Sequence, residues 1–145
     1  MSKGGATNNH DLSRFHDAQR GVYEIALSEI RQGQKRSHWM WFIFPQYGGL
    51  GVSPTSQRYA IKSLAEAEAY LKDRVLGRRL VECAEALLRI EGRSAQQIFG
   101  SPDDMKLRSS ATLFAHVSPA GSVFERVLDK YFGGERDDKT LQLIG

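Results

Sequence analysis

The chain contains one cysteine, four prolines, little excess of either charge, and no long apolar run. A lone Cys83 excludes an internal disulfide, so the fold must rest on its core. The longest strongly apolar stretch, Trp39 to Phe44, falls far short of the ~20 residues that a membrane span requires. The opening residues are small and polar and lack the apolar stretch of a signal peptide. Residues 1–10 are expected to form a disordered tail, and the cytoplasm is the default location. Twenty basic residues stand against 17 acidic ones, a net charge of only +3. The basic groups Lys35-Arg36, Arg78-Arg79 and Arg89 alternate with Asp and Glu, which reads as a mixed solvated surface and disfavours a nucleic-acid partner. His10, His16, His38 and His116 show no spacing of a metal site, and no cofactor is implied.

At 145 residues and 41% hydrophobic content, with seven phenylalanines, the chain can build a real core. Linkers are short and free of repeats, so residues 11–145 are read as a single helical domain. Helix signals dominate. From Leu12, apolar residues fall at Phe15, Ala18, Val22, Ile25, Ala26, Leu27 and Ile30. That spacing predicts one long helix, started by Asp11 and stopped by Gly33. Ser53-Pro54 predicts a helix start, with Tyr59, Ala60 and Ile61 carried along it. Ser63 and Glu66 match a reciprocal capping box. Asp73 is expected to cap the leucine-rich helix ending near Gly92, Ser94 a short turn, and Ser101-Pro102-Asp103-Asp104 a further helix. Val123 to Phe132 and a final turn over Thr140 to Leu143 complete an all-α fold of seven to eight short helices.

Ser37-His38-Trp39-Met40-Trp41-Phe42-Ile43-Phe44-Pro45-Gln46 holds both tryptophans. The run is apolar on every side, so periodicity does not separate helix from strand. Ser37 as N-cap and Pro45 as a stop favour a short helix, buried on most sides as the centre of the fold. The sharper reading adds a pocket oriented by the bounding His38 and Gln46. Tyr47-Gly48-Gly49-Leu50-Gly51 follows, and its glycines permit close approach to a ligand such as a phosphate. No strand precedes it and no GxGxxG or Walker spacing appears, so a flexible turn is the plainer reading.

HWMWFIFPQ, the following GGLG, YAI at Tyr59–Ile61, LG at Leu76-Gly77 and SSATLF at Ser109–Phe114 together resemble the bacterial family called domain of unknown function 1810, sometimes mislabelled calpastatin. The similarity runs from Asp11 onward. It implies a small, mainly helical fold of its own type, and brings no activity, cofactor or catalytic residue. Calpastatins are extended and disordered, which does not suit this composition.

Between Asp103 and His116, helical geometry puts Leu107, Ala111 and Phe114 on one face. Ser109, Thr112 and His116 fall within about 60° of each other on the other side, near Lys106. They form either a solvent face or a polar wall turned towards the aromatic segment. Ser110 lies near the apolar edge, where its hydroxyl is expected to bond back to the Lys106 carbonyl. Serine hydrolysis finds no nucleophile elbow, oxyanion-hole motif or ordered triad. Cys83 sits on a leucine face as inert core.

Two functions remain. One is a binding module, monomer or homodimer, that holds a small molecule or a partner protein segment near His38, Trp41, Gln46, Tyr59, Lys62, Lys106, Ser109 and His116. The other is an enzyme on a small phosphate-bearing, nucleotide-like substrate of ADP-ribose type, with a nearby carboxylate for acid–base chemistry.

Overall fold

Where periodicity predicts one long helix, the computed structural model has two, α1 (Ser13–Gln19) and α2 (Tyr23–Arg31). The structure describes residues 10–145, so the rest of the expected tail lies outside the described residues. Gly21 has φ of +77°, a left-handed conformation that breaks the helix and lets both halves keep their apolar faces inward. The described residues form ten helices, more than the seven to eight expected, and no β-strand.

Several start signals act as the sequence predicts. The Ser94 hydroxyl and Gln97 side chain form a reciprocal capping box at α7 (Ala95–Phe99). Asp73 accepts from the amides of Val75 and Leu76 at the start of α6 (Leu76–Arg89), both at 3.0 Å. Ser53 caps α4, but that helix spans only Pro54–Arg58, and Ala60 and Ile61 leave it in an extended path. At α5 (Leu64–Lys72), Ser63 caps the Glu66 amide, while the Glu66 carboxylate does not return to Ser63. It accepts instead from the Lys62 amide at 2.9 Å and from Arg14 at 3.2 Å. A guanidinium from α1 competes successfully for that oxygen because the pair is buried from solvent.

The core wraps α8 (Asp103–His116), which packs on α5, α7, α9 (Val123–Phe132) and α10 (Asp138–Ile144). Every residue from Ser109 to Ala115 is buried. The solvent-face reading of Ser109 and Thr112 is therefore corrected: neighbouring helices cover both sides of α8. Their hydroxyls are satisfied by donating to the carbonyls one turn back, Ser109 to Met105 at 3.2 Å and Thr112 to Arg108 at 2.8 Å. Thr112 also accepts from the Asp137 amide, fixing the start of α10.

Ser110 does not make the bond expected to the Lys106 carbonyl. Its buried hydroxyl finds no partner among the described residues and borders a 10 Å³ cavity lined by Phe44, Leu80, Leu107 and Phe124. An unpaired buried hydroxyl costs free energy, and its removal leaves a methyl that suits these walls. Ser110→Ala is expected to stabilise the fold by up to about 1 kcal/mol in denaturant unfolding. A loss of that size would show that the hydroxyl is paired in solution.

Candidate functional site

One helical turn is too short to persist on its own, yet the aromatic helix α3 spans only Met40–Ile43. Two buried polar side chains hold it, one on each side. Glu29 of α2 is 8% exposed and accepts from the Trp39 indole at 2.9 Å and the amides of Arg36 and Ser37 at 2.8 and 3.0 Å. It also accepts from the Ser37 hydroxyl. Ser37 is thus not the N-cap of α3; its hydroxyl is drawn to this carboxylate. Burial alone would push the Glu29 carboxyl up, but the donors around it outweigh burial and bring it down to about 2.

At the other end, the buried Gln19 amide donates to the Phe42 carbonyl at 2.8 Å, and its oxygen accepts from Arg79 at 3.2 Å. The Tyr70 hydroxyl sits on the same carbonyl at 3.4 Å. Burial raises the pKa of that phenol, so it stays a neutral donor. Trp39, Met40, Ile43 and Phe44 face the core, where Trp39, Phe44 and Phe99 pack with ring centroids 6.1–6.5 Å apart. Trp41 and Phe42 are half-buried, Phe42 packing against the core and the Tyr59 ring.

Beyond Pro45 the chain makes a closed excursion. The Ile61 amide donates to the Gln46 carbonyl, and the Gly48 amide to the Ile61 carbonyl, each at 2.8 Å. This isolated parallel bridge pins residues 48–60 as a loop that contains α4. Arg14 of α1 secures the return limb by donating to the carbonyls of Arg58 at 2.8 Å and Ala60 at 2.9 Å. Gly49 has φ of +101°, and a Cβ there would lie 3.2 Å from Leu143 of α10. A Cβ on Gly51 would lie 2.6 Å from Ser56. The glycines allow the loop to fold close to both elements.

Inside the excursion lies a cleft of 190 Å³. Trp41 and Gln46 form one wall, residues 47–51 the rim, and Ser56, Gln57, Tyr59, Ala60 and Lys62 the other side. The Tyr59 ring is held against Phe15 and Phe42, with centroids 5.9 and 5.4 Å away. Cations gather here. Lys62 lines the cleft, the Lys106 ammonium sits 5.1 Å from the Trp41 ring centre, and the Arg58 guanidinium lies 5.6 Å from that of Tyr59. Asp103 steadies Lys106 at 3.2 Å and also pairs with Lys35 at 2.9 Å. Among the described residues, no Asp, Glu, His or Cys lines the cleft. Tyr47 to Leu50 form a turn with Gly49 at positive φ, and the amides of Gly49 and Gly51 donate to no described residue.

Of the side chains singled out from sequence, Trp41, Gln46, Tyr59 and Lys62 converge on this cleft, and Lys106 stacks on its tryptophan wall. His38 is exposed and absent from the lining, Ser109 is buried within α8, and His116 is exposed at the far end of that helix. Sequence reasoning missed Ser56 and Gln57 in the lining, and Glu29, Gln19 and Arg14 behind it. Each of the latter three acts across a sequence separation that leaves no local pattern.

Among the described residues, no helix is long and apolar enough to cross a membrane. A search of curated proteins gives no match. The structure is similar to the crystal structure of the conserved hypothetical protein Rv1873 from Mycobacterium tuberculosis. The two share 51% identity and a TM-score of 0.91, over 92% of this chain and 96% of that one. A family model described as "Protein of unknown function (DUF1810)" matches residues 9–144. A match over nearly the whole chain, with a half-identical relative of the same fold, makes this chain a member of the DUF1810 family.

Proposed function

We propose that this protein is a binding module for a small, flat, anionic molecule, held in the cleft between Trp41 and the loop from Gly48 to Lys62. The observation that carries this reading is the chemistry of the lining. Three aromatic side chains (Trp41, Tyr47 and Tyr59), two side-chain amides and a lysine meet there, with no carboxylate among these described residues. Aromatic rings supply apolar contact at low conformational cost, and a few polar groups orient the ligand. Lys62 and the rim amides of Gly49 and Gly51 favour negative charge on the ligand.

The size narrows the choice. At 190 Å³ the cleft is below the roughly 300 Å³ where sites for drug-sized ligands begin. A single ring with one phosphate or carboxylate fills it, and a larger ligand such as a nucleotide would extend into solvent. An enzymatic role is less well supported, because acid–base chemistry at this place has only the Tyr47 and Tyr59 phenols and Lys62 to draw on.

Thermal-shift measurements with phenyl phosphate, nucleoside monophosphates, ADP-ribose and uncharged aromatic analogues test the proposal. Ligand that binds only the folded state raises the midpoint as concentration rises. The flat anions should raise it and the uncharged analogues should not. Lys62→Ala, an exposed substitution, should weaken the effect about tenfold, in line with about 1.4 kcal/mol for a charge-assisted contact. An equal shift in the Lys62→Ala protein would remove the lysine from the site. No shift with any flat anion would remove the proposal.

A further inference from the structure

A second concavity lies away from the glycine loop, where the C-terminal ends of α2 and α6 meet. It measures 350 Å³ and is lined by Arg31, Arg89 and Arg93, together with Gln32, Ala86 and Glu91. All three arginines are exposed, and none forms a salt bridge with a described residue. A basic residue at a helix C-terminus ordinarily offsets the helix dipole and caps its last carbonyls. Here other groups already do that work.

At the end of α2, the Glu29 and Ile30 carbonyls accept from the Gln34 and Gly33 amides at 3.0 and 2.8 Å. At the end of α6, the Leu87 carbonyl accepts from the Ile90 amide and from the Tyr131 hydroxyl. The Lys130 ammonium donates to the carbonyls of Leu88 and Ile90. Only Arg93 spends a donor, on the Gln97 carbonyl at 3.2 Å, which holds it in place. Gly33 leaves the room for it, since a Cβ there would lie 3.1 Å from the Arg93 side chain. Three guanidiniums therefore face one cavity with their fork-shaped donors largely free.

We infer that this cleft is a binding site for a small phosphate monoester, separate from the aromatic cleft. Three arginines against the single carboxylate of Glu91 leave a formal local charge of +2. A phosphate monoester carries about −1.5 to −2 at pH 7 and presents oxygens that suit bidentate arginine contacts. A free carboxylate neutralises only half of that charge. An extended acidic polymer would need basic residues beyond the cleft, and the acidic groups Glu24 and Glu85 on the exposed faces of α2 and α6 oppose that.

Amide NMR titration of the full chain with inorganic phosphate, at constant ionic strength, tests the inference. Phosphate should produce saturable shifts at Gly33 and residues 89–93, and leave the Trp41 indole and the Gly49–Gly51 amides in place. The double variant R31Q/R89Q, altered only at exposed positions, should weaken that binding at least tenfold, and R93Q should weaken it independently. A glycerol phosphate should compete for the same residues. The inference is overturned if the shifts match those from chloride or persist in both variants. It is equally overturned if they centre on Gly49–Gly51, which would place the anion in the aromatic cleft. Saturation only by a phosphopeptide or nucleic acid, with none by the small anions, would also overturn it.

Discussion

Gly77→Ala is expected to be the most damaging single-methyl change in this protein, lowering the melting temperature by roughly 6 °C. A Cβ at Gly77 would lie 2.0 Å from the carbonyl oxygen of Leu71 and 2.8 Å from its carbon. Those are backbone atoms at the end of α5, so no side chain can swing away. Relief requires α5 and α6 to separate, and with them the packing of Tyr70 and Leu80. Alanine favours a helix interior by up to about 1 kcal/mol over glycine. Overpacking against a fixed backbone costs about 3 kcal/mol or more. The clash wins, and a domain near this size loses about 3 °C per kcal/mol. Calorimetric melting of the variant checks this. A midpoint unchanged or raised would mean that the two helices are not packed so closely.

The second large effect concerns Glu29. Replacing it with alanine removes a buried carboxylate and leaves two backbone amides and an indole N–H without their acceptor. Each orphaned donor costs about 1 kcal/mol or more, so a total of at least about 3 kcal/mol is expected. Glu29→Gln keeps an acceptor but loses the charge, and allows the pH dependence to be read. The folded-state pKa lies near 2, below the ordinary value of 4.5. A depressed pKa means that the unfolded chain takes up the proton first as pH falls. The stabilisation from Glu29 is therefore complete above about pH 4.5 and is lost as pH falls towards 2. Asp73, also lowered, titrates in both proteins and cancels in the comparison. The stability gap between the wild type and Glu29→Gln should be widest above pH 4.5 and close towards pH 2. A gap that is constant with pH would show that the carboxylate is not held by these donors.

These two residues also show what sequence can reveal. The short aromatic helix was legible because its composition demands burial and Pro45 demands an end. What holds it was not legible, since Glu29 and Gln19 look like ordinary polar positions on amphipathic helices. Only the tertiary fold turns them inward. In α8, Ser109 and Thr112 read either as a solvent face or as a polar wall, and both are buried. Small hydroxyls can be buried around a central helix because each bonds its own backbone one turn back. Gly21 splits α1 from α2 although the apolar spacing runs through it, because an apolar period does not register a change of axis. For the cleft, Trp41, Gln46, Tyr59 and Lys62 were recognisable as aromatic or polar groups flanking the glycines. His38 shares the segment but points to solvent, and spacing within an irregular stretch does not predict which neighbours turn inward.

We propose that the aromatic segment, gripped from inside by Glu29 and Gln19, turns Trp41 outward as the wall of a ligand cleft. The chain's only other tryptophan, Trp39, is fully buried and bonded to Glu29. Tryptophan emission titrated with phenyl phosphate tests the claim directly. A saturable change is expected in the wild type, lost in Trp41→Phe at unchanged melting temperature. A saturable change that survives Trp41→Phe, or none at all in the wild type, would contradict it.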